Sequence, residues 1–199
     1  MINKDDFLRL AITKFTQFGS KRFSMDDLAT ELGISKKTIY EHFSNKEELI
    51  SESLLYFLEN VKTEVRKAEE REKENPLQCV IEYYKIGLKE MRAFNPSFLF
   101  GLKKYYPLAY KGFEDFRKEI VYGRIHSLLQ KARDIGQIRE NVNLELICEL
   151  YFLRMDEIVY SKTNLFENYN NEELLEHLIV NNIRGILTAE YYQKARFRI

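Results

Sequence analysis

Apolar residues recur at helical spacing along most of the chain, and no segment shows the sustained apolar–polar alternation that strands require. Three prolines and eight glycines in 199 residues leave few interruptions. The pattern predicts an all-α fold of about nine helices. We place them at residues 4–18, 25–32, 36–43, 46–73, 76–94, 97–106, 112–134, 143–162 and 172–196.

Two of the predicted helices are short and follow one another closely, at 25–32 and 36–43. Ser24 and Ser35 stand where N-cap residues are expected, and Gly33 supplies the turn between the helices. Two short helices joined in this way, between longer ones, predict a helix-turn-helix.

The second short helix has one apolar side and one polar side. On a helical wheel Ile39 and Phe43 face inwards, whereas Lys37, Tyr40 and Glu41 face outwards. A helix-turn-helix places the start of this helix in the major groove of DNA, where side chains read bases and others hold phosphates. We expect base contacts from Lys36, Lys37 and Thr38. We expect phosphate contacts from Ser24, Ser35, Tyr40, His42 and Lys46.

Residues 23–50, FSMDDLATELGISKKTIYEHFSNKEELI, resemble the DNA-binding domain of the TetR family of bacterial transcription regulators. The resemblance extends over about residues 5–55. It is carried by Gly19, Ala29, Gly33, the series Thr38, Ile39, Tyr40 and Phe43, and Lys46-Glu47-Glu48-Leu49. Glu41 departs from the expected pattern, because an outward acid repels phosphates unless it meets a cytosine amino group.

The resemblance implies a division of the chain by function. Residues 1–50 are expected to form the DNA-binding domain, 51–75 a connecting helix, and 76–199 a helical regulatory and dimerisation domain. The family's second domain binds a small molecule and pairs two subunits, and its usual mode is repression. A two-fold dimer would read a palindromic operator in double-stranded DNA. The apolar helices at 143–162 and 172–196 are the expected dimer surface.

Aromatic residues are concentrated between residues 83 and 122. One interpretation is a pocket for a largely apolar effector, and the other is ordinary core filling in a chain without tryptophan. The candidate effector contacts are Tyr84, Phe94, Phe98, Tyr105 and Tyr122. Three charged residues, Arg154, Asp156 and Glu157, interrupt an otherwise apolar helix. They are expected to serve the dimer, a pocket or an exposed face.

Composition narrows the remaining alternatives. Lys and Arg number 31 against 31 Asp and Glu, so attraction to DNA has to come from local arrangement. Cys79, Cys148 and three isolated histidines form no recognised metal or catalytic pattern, and we expect no cofactor and no enzyme activity. Neither a membrane span nor a signal peptide is expected, so the cytoplasm is the predicted location. The main alternative is a helical interaction or ligand-binding protein that has lost DNA binding.

Overall fold

The structure is a computed structural model that describes residues 3–160 and 165–199, without the side chains of Pro96, Asp156, Val159 and Tyr160. Within these ranges the fold is all-α, as predicted. The helices are α1 Lys4–Phe18, α2 Met25–Leu32, α3 Lys36–Tyr40, α4 Lys46–Arg71, α5 Pro76–Arg92, α6 Pro96–Tyr105, α7 Pro107–Lys118, α8 His126–Asp134, α9 Leu144–Tyr160, α10 Leu165–Asn168, α11 Asn171–Leu175, α12 Asn181–Ile186 and α13 Ala189–Lys194. Two π-helical turns, Glu119–Ile125 and Glu176–Val180, join α7 to α8 and α11 to α12.

The last predicted helix, 172–196, differs most from the structure. Leu187 and Thr188 are extended, and Leu187 forms an isolated antiparallel bridge with Ile138. The Thr188 side chain then accepts a hydrogen bond from the backbone N–H of Tyr191 and caps α13. Pairing between residues distant in the chain therefore interrupts a segment whose local pattern favours one helix. No helix among the described residues combines the length and apolar composition needed to cross a membrane.

Packing divides the chain into two compact units. Unit 1 comprises residues 1–62 and 93–116, and unit 2 comprises residues 63–92 and 117–199. In unit 1, α2 packs on α3 and α6 packs on α1. In unit 2, α5 packs on α8 and α11, while α9 packs on α8 and the first π-helical turn.

Small residues bring α6 into close contact with the end of α1. A Cβ atom on Gly19 would lie 2.7 Å from the Ser97 Oγ, and one on Gly101 would lie 2.7 Å from the Ser20 Oγ. Just before α6, the Asn95 N–H donates a hydrogen bond to the carbonyl oxygen of Thr16 near the end of α1, at 2.7 Å. We call the two reciprocal glycine–serine contacts the Gly–Ser seam. It fixes α6 against the first helix of unit 1.

Changing Gly101 to Ala is expected to lower the free energy of unfolding by about 1 kcal/mol. The new methyl group meets the Oγ of fully buried Ser20, and this overpacking costs more than the roughly 1 kcal/mol that alanine gains over glycine in a helix. Gly112→Ala is the matched control, because a Cβ atom there meets nothing within 4 Å. Denaturant unfolding should show destabilisation in the first variant and stabilisation in the second. Equal stabilisation of both would contradict the close packing of the seam.

The chain end is held within unit 2 by a buried glutamine. The Gln78 side chain donates to the Arg198 carbonyl at 2.9 Å and accepts from the Arg198 N–H at 3.0 Å. The Arg198 guanidinium also pairs with Glu72, which is buried. Because both polar groups are satisfied by the tail, the last residues are part of the packed structure of this unit.

Candidate nucleic-acid interface

Capping interactions set the two short helices at defined ends. The Ser24 side chain accepts from the Asp27 N–H, and the Asp27 carboxylate accepts in return from the Ser24 N–H, which forms a capping box. Gly33 adopts the left-handed conformation with φ +64°, and Ser35 caps α3 by accepting from the Thr38 N–H. The local sequence therefore produces the predicted turn between α2 and α3.

Buried aromatic packing anchors α3 and leaves its opposite side open. Ile39 and Phe43 are buried, and Phe43 packs edge-on against Phe7 with ring centroids 6.0 Å apart. On the other side Lys37 and Tyr40 are exposed to solvent. Lys37 and Tyr40 therefore present a cation and a phenol on the exposed side of a helix whose other side is fixed by packing.

Two candidate base contacts have partners within unit 1. The Lys36 Nζ donates to the Asp26 carboxylate at 3.0 Å, and this hydrogen bond raises the pKa of the exposed lysine. Thr38 is half-buried, and its hydroxyl lies 2.9 Å from that of Ser35. Lys37 is therefore the best-placed of the three for reading a base, because it extends from the exposed side.

The candidate phosphate contacts divide into exposed groups and groups that also support the fold. Tyr40 and His42 are exposed, and the His42 ring packs against Phe7 with centroids 4.9 Å apart. Lys46 is half-buried, donates to the Lys21 carbonyl at 3.2 Å, and has its pKa lowered by burial. A lysine held at the start of α4 keeps its charge at a fixed point beside the α1–α2 turn.

Glu41 is exposed at the C-terminal end of α3. The helix ends at Tyr40, three residues before the predicted end, and the N–H groups of His42 and Phe43 both donate to the Ile39 carbonyl. Glu41 thus lies at the opposite end of the helix from the capped start that is expected to enter the groove. Glu41 follows Lys37 by four residues, so its charge lies about one helical turn further along, next to Lys37 on the same side of the helix.

The five candidate effector contacts fall in different units. Phe94 and Phe98 belong to unit 1, where Phe94 packs against both Phe57 and Phe98 with centroids 5.4 and 5.5 Å apart. Tyr105, also in unit 1, is exposed between two lysines. Tyr84 and Tyr122 belong to unit 2. The five residues are therefore divided between two units, and the structure does not describe them as one site. Aromatic composition alone cannot show which rings share a core.

Unit 2 contains a pair of buried tyrosines that sequence reasoning identified only in part. Tyr84 on α5 meets Tyr151 on α9 edge-on, with centroids 5.4 Å apart. Both side chains are buried, which raises their pKa values, and neither hydroxyl has a hydrogen-bond partner among the described residues. Tyr151 was expected only as part of a dimer helix. Its spacing within the apolar run ICELYFL carries no signal that separates it from core residues.

Next to this pair, polar groups of unit 2 surround Phe152. The Arg117 guanidinium lies 4.4 Å from the Phe152 ring centroid, and the Tyr122 ring lies 5.5 Å from it. The Tyr122 hydroxyl donates to Glu149 at 2.7 Å, and burial together with this bond raises its pKa to about 12. A cation, a phenol and an aromatic ring therefore occur together in unit 2, where Arg117 and Tyr122 meet α9.

The charged residues within α9 have separate surroundings. Arg154 is half-buried and donates to the Leu178 carbonyl at 3.3 Å, which ties α9 to the second π-helical turn. Glu157 is exposed. The side chain of Asp156 lies outside the described residues. Of the three roles expected for these residues, an exposed face fits Glu157. Arg154 instead makes a structural contact within unit 2.

Comparisons with known proteins agree on the class of protein. The model of the family described as "Bacterial regulatory proteins, tetR family" matches residues 7–52, which cover α1 to the start of α4. The uncharacterized HTH-type transcriptional regulator YvaF of Bacillus subtilis (strain 168) is 29% identical over 168 residues, 84% of this chain and 87% of that protein. The HTH-type transcriptional repressor KstR2 of Mycolicibacterium smegmatis is 38% identical over 56 residues, 28% of this chain and 27% of its own length.

The fold agrees over nearly the whole chain. The structure of the transcriptional regulator FadR from Bacillus subtilis in complex with stearoyl-CoA gives a TM-score of 0.70, and the match covers 92% of this chain and 100% of that one. At 17% identity this likeness shows the fold alone. The helix-turn-helix, the family model and the relative of similar length agree that residues 7–52 form a helix-turn-helix domain of the TetR family of bacterial transcription regulators.

Proposed function

We propose that the chain is a dimeric repressor that binds a palindromic DNA operator and is released or retuned by a small molecule held in unit 2. The observation that carries the DNA-binding part is the α3 face, where Lys37 and Tyr40 are exposed above buried Ile39 and Phe43. The matched repressor from Mycolicibacterium, 38% identical over 56 residues, supports repression. A protein that acts on chromosomal DNA would work in the cytoplasm.

Each candidate residue receives a role in this proposal. Lys37 reads a base, and Lys36 and Thr38 join it when acceptors on the DNA compete with Asp26 and Ser35 for these two side chains. Tyr40, His42, Ser24, Ser35 and Lys46 hold phosphates and set the orientation of α3. The buried anchors make this face rigid, so its donors need little reordering to meet DNA.

Titration of a labelled random-sequence duplex with the purified protein tests this function against the main alternative. A regulator that contacts phosphates should lose affinity steeply as salt rises, with a slope of about −0.9 for each phosphate neutralised. A helical interaction protein that has lost DNA binding should be indifferent to duplex at every salt concentration. That indifference, in a folded and dimeric sample, would reject the proposed function.

The proposed dimer uses α9 and α12 of each subunit. Leu146, Leu150 and Leu153 form a stripe on α9 and are 52, 40 and 52% exposed. Beside the stripe, a groove of about 270 Å³ is lined by α9 residues and by Asn181 and Gly185 of α12. Projecting leucines next to a groove on the same two helices suit a second copy related by a two-fold axis, because each copy can fill the other's groove.

The proposed effector site centres on Tyr84 and Tyr151. A buried hydroxyl without a partner costs free energy, so two such hydroxyls on contacting rings favour a ligand that accepts hydrogen bonds. The neighbouring Phe152 and Tyr122 rings suit an apolar body. The ligand we infer is therefore largely apolar with an oxygen at one end. Phe94, Phe98 and Tyr105 of unit 1 are not assigned to this site.

Changing Tyr84 to Phe is expected to raise the free energy of unfolding of the ligand-free protein by about 1 kcal/mol, because it removes an unsatisfied buried hydroxyl while keeping the ring. Tyr83→Phe is the control: its hydroxyl donates to Glu69, so its removal should destabilise the protein. Thermal and denaturant unfolding measure both changes. Destabilisation by Tyr84→Phe comparable to that of the control would show that the hydroxyl is already satisfied, and would remove the argument for an effector here.

A further inference from the structure

A group of cations lies outside the helix-turn-helix but within the same unit. Lys21 comes from the turn between α1 and α2, and Lys104 and Tyr105 come from the end of α6. The Nζ atoms of Lys21 and Lys104 lie 5.0 and 5.3 Å from the Tyr105 ring centroid. All three residues are exposed. We call them the Lys–Tyr–Lys cluster. We propose that this cluster holds a DNA phosphate in the flank of the operator, beyond the bases that α3 reads.

The cluster is held together although it joins two segments about 80 residues apart in the chain. The Gly–Ser seam presses α6 onto the end of α1, and the Asn95 N–H is bonded to the Thr16 carbonyl. Hydrogen bonds from Lys104 and from Lys21 lower the pKa of the Tyr105 hydroxyl. Two ammonium groups therefore converge on one exposed phenol, although like charges repel. An anion placed between them would relieve that repulsion.

The cluster adjoins the proposed phosphate contacts of the helix-turn-helix. The Lys46 Nζ donates to the carbonyl of Lys21 itself, at 3.2 Å. Three residues further along the chain is Ser24, the N-cap of α2. The end of α6 also lies close to the start of α4: burial raises the pKa of Tyr106, and the nearby charge of Glu47 raises it further. The basic surface thus continues outwards from Ser24 and Lys46 without crossing into the other unit.

Local charge favours a polyanion as the occupant. Arg22 and Lys103 are exposed next to the cluster in sequence, and Lys103 lies 5.5 Å from the Tyr110 ring centroid. Among the described residues, Glu47 acts on this region through Tyr106, and Asp27 acts on the adjoining Lys46. Since the whole chain has a net charge of zero, this surplus of cations is local. A duplex backbone is the partner that meets both the cluster and the adjoining helix-turn-helix contacts.

The inference rests on the proposed DNA-binding function, and its test uses the full-length protein. Binding of wild type and Lys21→Ala/Lys104→Ala is measured on a duplex with the selected operator alone and on one with about half a helical turn of flanking DNA on each side. On the longer duplex the double variant should show a salt slope less steep by about 0.9 per subunit, because one phosphate per subunit is no longer neutralised. From about 50 to about 200 mM salt, that difference corresponds to roughly three- to fourfold in affinity per subunit.

Two control variants separate this role from loss of folding or of bulk charge. Lys21→Arg/Lys104→Arg keeps both charges and should retain the wild-type slope. Lys67→Ala removes an exposed cation from unit 2 and should also leave the slope unchanged. An unchanged slope in the double alanine variant, with wild type binding normally, would overturn this inference alone. Failure of wild type to bind any duplex would overturn both it and the proposed function.

Discussion

Replacing Leu150 with Glu is expected to convert the dimer to a monomer and to lower operator affinity at least about a hundredfold. Leu150 is exposed in the centre of the α9 stripe and also lines the groove beside α12. At a two-fold interface each substitution occurs twice, so two carboxylates would be placed in an apolar contact without partners. A monomer holds one half-site at a time and loses the gain of linked binding, which reaches about 10² to 10⁴ in affinity.

Leu55→Glu provides the matched control for this change. Leu55 is 57% exposed on α4 in unit 1 and belongs to neither the α9–α12 surface nor the proposed DNA contacts, so the same substitution there should leave both assembly and DNA affinity unchanged. Sedimentation velocity gives the oligomeric state, and fluorescence anisotropy on a palindromic duplex and on a single half-site gives affinity. If Leu150→Glu stays dimeric and binds the palindrome as wild type does, the α9–α12 surface is not the dimer interface.

Changing Lys37 to Ala is expected to lower affinity for the operator about tenfold to a hundredfold while leaving non-specific binding nearly unchanged. The lysine projects from the exposed side of α3, and removal of a direct base contact costs about 1–3 kcal/mol. The effect should be confined to one base-pair position in each half-site. At that position the variant should accept other bases almost equally well.

Tyr40→Phe is the informative comparison, because Tyr40 lies on the same face but is assigned to a phosphate. Loss of its hydroxyl removes a hydrogen bond to a charged group, so affinity should fall about tenfold for all duplexes alike. Competition titrations with operators mutated one base pair at a time distinguish the two patterns. Identical profiles for the two variants would contradict the division between base reading and phosphate holding.

The helix-turn-helix was predictable because its determinants are local. Ser24, Gly33 and Ser35 act on backbone groups within about one turn of helix, and the structure shows each in its expected cap or turn. The all-α class followed from periodicity in the same way. Predictions from sequence were therefore strongest where the interacting groups are neighbours in the chain.

Features that depend on distant residues were not predictable. Nothing near Leu187 indicates that it pairs with Ile138, and nothing near Lys36 indicates that Asp26 holds it. The Gly–Ser seam likewise joins α1 to α6 through residues that look like ordinary helix ends and interiors. Aromatic content indicated a core or a pocket, but only the packing showed that Tyr84 faces Tyr151 and that Tyr105 lies elsewhere.

Sequence-specific DNA binding by the α3 face is tested by selecting duplexes from a random DNA library with the purified protein and titrating the enriched sequence with salt. We predict an enriched palindrome with half-sites about one helical turn apart, and a steep loss of affinity as salt rises. A folded, dimeric protein that enriches no sequence and shows no salt-dependent binding would contradict this function.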